Sequence, residues 1–91
     1  MGLIVRSANA GTLESSDCLV TVMPAETIEI EYAGANEKIF RGRTEDLVRE
    51  ILGKYSLTGG AVKIQDSGAL EVTLRARIET ALERAMEAIA R

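Results

Sequence analysis

This chain has no histidine and no tryptophan, and it has only one cysteine, one proline and one phenylalanine. The absence of histidine removes the side chain that most often acts as a general base and as a metal ligand. Acidic residues do occur in neighbouring pairs: Glu29 with Glu31, Glu45 with Asp46, and Glu79 with Glu83. These pairs fall on the predicted polar faces of strands and helices, which is typical of solvated surface. We therefore expect no catalytic residues and no metal site.

The single cysteine, Cys18, excludes an internal disulfide. It opens the apolar segment of residues 18–23, directly after Asp17. A cysteine in such a position is typically buried and unreactive. We expect an inert thiol without a functional role; a reactive thiol is the less favoured alternative.

Other missing features narrow the class of protein. No apolar run approaches the roughly 18 residues that a transmembrane helix requires. Residues 1–6 lack the basic lead of a secretory signal, and Arg6 stands where a myristoylation site has Ser or Thr. The net charge is −3 without a dense basic cluster, which is atypical of nucleic-acid binding. We expect an unlipidated cytoplasmic protein that binds neither membrane nor nucleic acid.

The chain does contain enough aliphatic material for one small domain. Its 91 residues are 46% hydrophobic but only 3% aromatic, so Ile, Leu, Val, Ala and Met must build the core. A chain of this length buries roughly 60–65% of the surface of its unfolded state. We predict a single domain over residues 1–91, in which residues 1–17 are an N-terminal segment ending in a loop.

The hydrophobic pattern predicts two β-hairpins. Residues 18–23 and 27–32 are β-branched or alternating, and a turn at Pro24 separates them. Residues 61–65 and 70–74 also alternate, around an Asp-Ser-Gly-Ala turn at residues 66–69. Residues 3–5 either pair at a sheet edge or lie loose.

Two helices complete the pattern. Thr44 can cap a helix whose apolar face holds Leu47, Val48, Ile51, Leu52 and Tyr55. A final helix begins between Arg75 and Thr80, with Ile78, Ala81, Leu82, Ala85, Met86 and Ile89 on one face. The sum is an α+β fold of order ββαββα: a four-stranded, mainly antiparallel sheet with two helices packed on one face.

One loop, residues 11–17 (Gly-Thr-Leu-Glu-Ser-Ser-Asp), carries the functional signal. It has a glycine, adjacent hydroxyls at Ser15 and Ser16 and two carboxylates, with no histidine or lysine beside them. A serine without a neighbouring base is a poor nucleophile. It can still be an attachment point that another enzyme modifies, although a plain polar loop is the commoner meaning of such residues.

Residues 10–17 also resemble the prosthetic-group attachment segment of the citrate lyase acyl carrier protein, the gamma chain. The similarity continues in residues 66–71 (Asp-Ser-Gly-Ala-Leu-Glu) and 74–79 (Leu-Arg-Ala-Arg-Ile-Glu) and covers nearly the whole chain. The resemblance implies that Ser15 carries a phosphodiester-linked phosphoribosyl-dephospho-CoA arm, whose thiol holds acetyl or citryl as a thioester. It also implies three partners: an alpha subunit that transfers acyl groups, a beta subunit that cleaves citryl, and an attachment enzyme.

The similarity to this family has two departures and leaves alternatives open. One is Cys18, directly after Asp17, for which we expect no functional role. Where the family has glycine after the modified serine, this chain has Ser16, which is the fallback attachment residue. The carrier of a malonate decarboxylase-type complex, or an unmodified domain that bridges two subunits, is the competing interpretation, and a hydrolase using Ser15 is disfavoured. Ser67, in the turn, is not expected to be a modification site. Arg75 and Arg77 either form a solvated pair or meet partner acids or the arm's phosphates.

Overall fold

The computed structural model describes residues 3–34 and 37–86 of the chain. Its elements follow in the order β1 (Ala8–Gly11), β2 (Cys18–Met23), β3 (Ile28–Gly34), α1 (Glu37–Lys54), β4 (Gly60–Asp66) and α2 (Glu71–Ala85). The strands form one sheet in the order β1-β2-β4-β3, with β3 and β4 parallel and the other two pairs antiparallel. The predicted α+β class, with a mainly antiparallel four-stranded sheet and two helices, is confirmed.

One face of the sheet and both helices enclose a single core. Val20 of β2 lies opposite Ile64 of β4, which in turn lies opposite Tyr32 of β3, and all three side chains are buried. Alternate residues such as Glu29 and Glu31 point to the other face and are exposed. The alternation predicted for the strands therefore separates core from surface correctly.

The first predicted hairpin is wrong. Residues 18–23 and 28–34 are strands, but β4 lies between them in the sheet. Alternation identifies which residues of a strand face the core, but it does not identify the neighbouring strand. Because β3 and β4 are parallel, a crossover must connect them, and α1 supplies it.

The second predicted hairpin is also wrong, since residues 71–74 begin α2. Leu74 is 2% exposed, whereas Leu70 and Val72 are 71% and 70% exposed, so positions 70, 72 and 74 do not share a buried face. Leu74 instead continues the helical stripe of Ile78 and Leu82. Both edges of β4 are already paired, which leaves no free edge for another strand beside it.

The N-terminal region contains a strand that the sequence did not reveal. Residues 8–11 (Ala-Asn-Ala-Gly) have low β propensity, yet they pair with β2 at the edge of the sheet. Upstream, Ile4 forms an isolated bridge with Met86, and the Val5 N–H donates to the Ala85 carbonyl oxygen at 2.9 Å. Residues 3–5 are therefore held at the end of α2 rather than at a sheet edge.

The two helices confirm their predicted apolar faces but not their starts. Leu47, Val48, Ile51 and Leu52 of α1 are buried, as are Ile78, Ala81, Leu82 and Ala85 of α2; Ile89 lies outside the described residues. Helix α1 begins at Glu37, so Thr44 is an interior residue and not the cap. Its side chain is 1% exposed. Within the described part of the chain, no helix has the length and apolarity that crossing a bilayer demands.

Candidate functional site

Residues 12–17, here called the β1–β2 loop, form the tip of a β-hairpin. Strands β1 and β2 pair antiparallel, with Gly11 opposite Leu19. The Thr12 N–H donates to the Cys18 carbonyl oxygen at 3.1 Å and closes the base of the loop. Residues 12–16 are exposed, and Asp17 is half-buried. The predicted loop that leads directly into an apolar strand is present, and the preceding strand makes it a hairpin.

Asp17 organises this loop through four hydrogen bonds. Its carboxylate accepts the Thr12 hydroxyl at 2.7 Å and the Cys18 N–H at 2.7 Å. It also accepts Nε and Nη2 of Arg77 at 3.1 and 2.9 Å. The Arg77 guanidinium, followed by the Thr12 hydroxyl and the Cys18 N–H, holds the pKa of Asp17 well below its usual value, because all these donors favour the charged carboxylate. Since Arg77 belongs to α2, this bidentate pair fixes the loop to the helix.

Gly11 is required by the close approach of the chain at the base of the loop. Its φ is +99°, in the region that favours glycine. A Cβ at this position would overlap the Cys18 carbonyl oxygen and lie 3.2 Å from Cδ of Arg77. The glycine is therefore needed at this position because a larger residue would collide with the Cys18 carbonyl oxygen and crowd Arg77, the partner of Asp17.

Ser16 also has a left-handed backbone, with φ of +67°. Its N–H donates to the Ser67 carbonyl oxygen at 2.8 Å, and the Ser67 N–H donates to the Asp17 carbonyl oxygen at 2.8 Å. These bonds join the β1–β2 loop to the turn between β4 and α2. A left-handed conformation strains any residue with a Cβ, which gives a physical reason for the glycine that the family resemblance places here.

Ser15 stands exposed beside this tethered backbone. The side-chain hydrogen bonds of the loop use Thr12, Asp17 and Ser67, and none in the described ranges 3–34 and 37–86 uses the Ser15 hydroxyl. A hydroxyl that no base contacts is not an activated nucleophile. It is, however, accessible to another enzyme. The arrangement suits covalent attachment better than catalysis by the chain itself.

Ser67 lies in a turn, as predicted, although the turn leads into a helix. Oδ1 of Asp66 accepts the N–H groups of Gly68 and Ala69 at 3.0 and 2.8 Å, which fixes the turn. The Ser67 hydroxyl donates to the Leu13 carbonyl oxygen at 3.3 Å. Ser67 therefore binds the β1–β2 loop through its side chain as well as through its backbone.

Arg75 and Arg77 of α2 have different roles, so the prediction of a solvated pair is wrong for Arg77. Arg75 forms an exposed ion pair with Glu50 of α1 at 2.9 Å. Arg77 binds Asp17, 60 residues away in sequence. Sequence reasoning missed this contact because residues 70–74 were interpreted as a strand. With the helix start placed correctly, an arginine three residues after buried Leu74 becomes a candidate for reaching the neighbouring hairpin.

The remaining sequence candidates lie away from any reactive arrangement. Cys18 is fully buried, and burial, followed by the charges of Asp17 and Asp66, raises the pKa of its thiol to about 11. The predicted burial of this thiol is confirmed, and its lack of reactivity stays a prediction. Glu79 pairs with Lys54 on the surface. Across residues 3–34 and 37–86, no three His, Cys, Asp or Glu side chains come together as metal ligands.

Comparison with known sequences identifies relatives over most of the chain. The family model described as malonate decarboxylase delta subunit (MdcD), an ACP family, matches residues 5–85. A citrate lyase acyl carrier protein of Treponema denticola is 39% identical, with 92% of this chain and 97% of the relative covered. Proteins of the same name from Haemophilus influenzae and Serratia proteamaculans are each 43% identical over 92% of this chain, covering 88% and 84% of their own lengths.

Comparison with solved structures supports the fold. A chain in the crystal structure of a Pseudomonas malonate decarboxylase hetero-tetramer in complex with malonate matches with a TM-score of 0.68. The match covers 93% of this chain and 94% of the other, at 18% sequence identity. At that identity the match concerns the fold alone.

Proposed function

This chain belongs to the citrate lyase acyl carrier protein family, and from that premise we propose that it is the acyl carrier of a citrate lyase complex, with Ser15 as its attachment residue. A carrier of this family bears a covalent prosthetic group and works with catalytic partner subunits. The finer proposal is that the group is a phosphoribosyl-dephospho-CoA arm. Its partners would be an alpha subunit that transfers acyl groups, a beta subunit that cleaves citryl, and an attachment enzyme.

The observation that carries this proposal is the exposed Ser15 on a loop with a fixed base. Four hydrogen bonds to Asp17 and two backbone bonds to Ser67 hold the residues on either side. A modifying enzyme would therefore meet an ordered backbone and an unobstructed hydroxyl, a combination that lowers the entropy cost of recognition. Ser15 fits an attachment residue because nothing in the described chain needs its hydroxyl.

The division of labour follows from what the residues of this chain can do. When bound, the arm would supply a thiol that carries the acyl group between partner sites. The Asp17–Arg77 ion pair would hold the loop that bears the arm against α2. Gly11 allows the backbone and Arg77 to approach each other as closely as this pair requires. A tether raises the effective concentration of its cargo at each partner to about the millimolar range. The chemistry itself requires general acids, bases or metal ions that the partners would supply.

Covalent loading tests the attachment residue. Co-expression with the attachment enzymes should add the arm to the natural chain and to Ser16→Gly, but not to Ser15→Ala, as measured by intact mass and peptide mapping. Ser67→Ala is the matched control, because it removes a nearby hydroxyl that we do not expect to be modified. Ser15→Ala should change stability by no more than about 0.5 kcal/mol, since the side chain is exposed.

Two results would contradict the assignment. Loading of Ser15→Ala together with failure of Ser16→Ala would move the attachment residue to the fallback, Ser16. Loading of both variants would mean that neither serine is required by itself, and peptide mapping would then show whether each variant uses its remaining serine or a residue outside the β1–β2 loop. Circular dichroism on each variant separates a lost attachment site from a lost fold.

A malonate decarboxylase-type carrier is the second candidate function. The matching family is described as a malonate decarboxylase subunit, and the matched structure is that of a malonate decarboxylase hetero-tetramer. Reconstitution distinguishes the two: the loaded carrier should support citrate cleavage with citrate lyase alpha and beta subunits, and it should not support malonate decarboxylation with the corresponding subunits. The reverse result would favour the malonate reaction.

The remaining parts of the proposal concern the state and location of the chain. Intact mass of the protein from its native host separates a loaded carrier from an unmodified bridging domain, because only the carrier gains mass. Residues 1–91 act as one carrier domain, and we place it in the cytoplasm with its partners. Limited proteolysis of the purified chain would test the single domain.

A further inference from the structure

A pocket of about 330 Å³ opens beside the turn that follows β4. Its lining consists of Tyr32, Phe40, Arg43, Asp66 and residues 68–71. The volume lies at the lower end of the roughly 300–1,000 Å³ typical of ligand sites, so it suits one compact group rather than a long chain. Its lining includes no residue of the β1–β2 loop.

The pocket adjoins the proposed attachment residue. Ser16 donates its N–H to the Ser67 carbonyl oxygen at 2.8 Å. Its Cα lies 4.0 Å from the position where a Cβ of Gly68 would stand, and Gly68 lines the pocket. An arm on Ser15 therefore starts one residue away from a contact with the pocket rim.

The walls combine an aromatic face with a cation. The guanidinium of Arg43 lies over the ring of Phe40, 4.6 Å from its centroid. The ion pairs of the described residues do not include Arg43, so its charge is available to a ligand. Stacked arginine and aromatic planes are the surfaces on which nucleobases bind, and arginine also pairs with phosphate.

The other wall offers hydrogen-bond acceptors and free N–H groups. The carboxylate of Glu71 is exposed on the rim, at the start of α2. No side chain caps this helix end. The N–H groups of Thr73 and Leu74 donate to the Leu70 carbonyl oxygen at 3.0 Å, so the N–H groups of Glu71 and Val72 are the ones at this end that lack an intrahelical acceptor. Asp66 is already satisfied by the N–H groups of Gly68 and Ala69 and by the Tyr32 hydroxyl. Glu71 is thus the carboxylate left to accept from a ligand.

A buried polar side chain, that of Thr44, lies near the pocket-lining Tyr32, although Thr44 does not line the pocket. Thr44 Oγ1 is buried without a hydrogen-bond partner in the described residues. Burial, followed by the hydrogen bond to Asp66, raises the pKa of the Tyr32 hydroxyl to about 12, and the nearby Thr44 hydroxyl lowers it in part. Buried polar groups left unsatisfied are uncommon and often mark functional sites. Tyr32 connects this group to the pocket wall.

We propose that this pocket binds the adenine nucleotide part of the prosthetic arm. Phe40 and Arg43 would supply the stacking surface, Arg43 would also pair with phosphate, and Glu71 would accept a hydrogen bond from an exocyclic amine. The inference rests on the proposed attachment at Ser15 for its tether, but the pocket itself can be tested on the bare chain. Because a short tether supplies about millimolar effective concentration, a site with millimolar affinity suffices to dock the arm.

Titration of the bare, isotope-labelled chain with free nucleotides tests the site. AMP added to roughly 10 mM, above that effective concentration, should shift the amide resonances of Phe40 and residues 68–72. AMP should bind more tightly than IMP, which replaces the exocyclic amine with an acceptor oxygen facing Glu71. Absence of shifts in these residues, or equal affinity for AMP and IMP, would overturn the proposal.

Matched variants assign the roles. Arg43→Ala should weaken AMP binding roughly tenfold, because a charge-assisted hydrogen bond to phosphate is lost. Arg49→Ala is the control, since it removes an exposed arginine of the same helix that does not line the pocket. Glu71→Gln should abolish the preference for AMP over IMP. Equal losses in Arg43→Ala and Arg49→Ala would mean a non-specific charge effect and would contradict the site.

The loaded chain separates this inference from the proposed function. Intact mass first establishes whether Ser15 carries the arm; without added mass, the attachment proposal fails and the AMP titration still decides the pocket. With the arm in place, amide hydrogen exchange at residues 70–72 should slow relative to bare Ser15→Ala, and Arg43→Ala should remove that protection. Full loading with unchanged exchange would leave the carrier function intact and refute docking of the arm.

Discussion

The two adjacent serines of the β1–β2 loop differ in backbone rather than in side chain. Ser16 has φ of +67°, whereas Ser15 is not among the residues with positive φ. The N–H of Ser16 donates to the Ser67 carbonyl oxygen, and the Ser15 hydroxyl makes no hydrogen bond within the described residues. The two serines therefore differ in role: Ser16 takes the left-handed conformation that the loop requires, and Ser15 has an exposed hydroxyl.

Replacing Ser16 with glycine should stabilise the chain. A left-handed residue with a Cβ costs about 1–2 kcal/mol, while added freedom in the unfolded state lowers stability by about 0.4–1 kcal/mol. We expect Ser16→Gly to raise the free energy of unfolding by about 0.5 kcal/mol in urea denaturation. Ser15→Gly, the matched control, should lower it by about 0.4–1 kcal/mol. Effects of the same sign in both variants would argue against a strained Ser16.

At the scale of elements, helix α2 connects the β1–β2 loop to the core. Its first turns carry exposed Val72 on one side and buried Leu74 on the other, and Arg77 further along the helix reaches Asp17. The turn after β4 contacts the same loop through Ser67. The loop therefore depends on a strand–turn–helix unit that is distant in sequence.

Substitutions at Val72 and Leu74 distinguish a helix from the strand that alternation predicted. In a strand, positions 72 and 74 share a face and would have similar effects. In the helix, Leu74→Ala should lower the free energy of unfolding by about 2–5 kcal/mol, because a core side chain leaves a cavity. Val72→Ala should change it by no more than about 0.5 kcal/mol. Comparable losses measured by urea denaturation would contradict the helical start.

The Asp17–Arg77 pair should make stability depend on acidity. The pKa of Asp17 is lowered in the folded chain from its ordinary 3.8, so its contribution is present above that value and is lost as the pH falls below it. Asp17→Asn should therefore be less stable than the natural chain at pH 7, and the difference should shrink progressively as the pH falls below 3.8.

Thermal unfolding at neutral and acid pH measures that convergence. Glu50→Gln is the control, because its exposed ion pair with Arg75 should contribute little at any pH. A difference between Asp17→Asn and the natural chain that stays constant from neutral to acid pH would contradict the role of the charged carboxylate. Arg77→Lys should behave like a weaker Asp17→Asn, since lysine keeps the charge but loses the bidentate geometry.

For the whole molecule, the local sequence pattern predicted which residues are buried, but it did not predict which elements are neighbours in the fold. The apolar faces of both helices, the strands over residues 18–23 and 61–65, the buried Cys18 and the exposed loop all follow from short-range periodicity and turn chemistry. Strand order and the Asp17–Arg77 contact could not be predicted, because they depend on pairings across up to 60 residues that one sequence does not encode in any local signal. Strand β1 was missed because Ala-Asn-Ala-Gly has no strand preference and is held only by its neighbour β2.

The same view of the whole molecule predicts that the purified, loaded carrier has no lyase or esterase activity by itself. The chain has no histidine, the Ser15 hydroxyl has no hydrogen bond to a base in the described residues, and the one cysteine of the polypeptide, Cys18, is buried with its thiol pKa raised to about 11. An unactivated hydroxyl and a protonated thiol are poor nucleophiles at neutral pH. We expect no oxaloacetate from citrate, and no hydrolysis of p-nitrophenyl acetate above the rate of the uncatalysed reaction.

Addition of the partner subunits should restore citrate cleavage, and Ser15→Ala, which cannot be loaded, should abolish it again. Cys18→Ala is the control for the buried thiol: because that thiol takes no part, the reconstituted rate should be unchanged once the fold is verified by circular dichroism. Citrate cleavage by the loaded carrier alone would contradict this prediction. It would mean that the chain supplies catalytic groups, although none are brought together in residues 3–34 and 37–86. Esterase activity of the bare, unloaded chain that is lost in Ser15→Ala would instead identify Ser15 as a nucleophile in its own right.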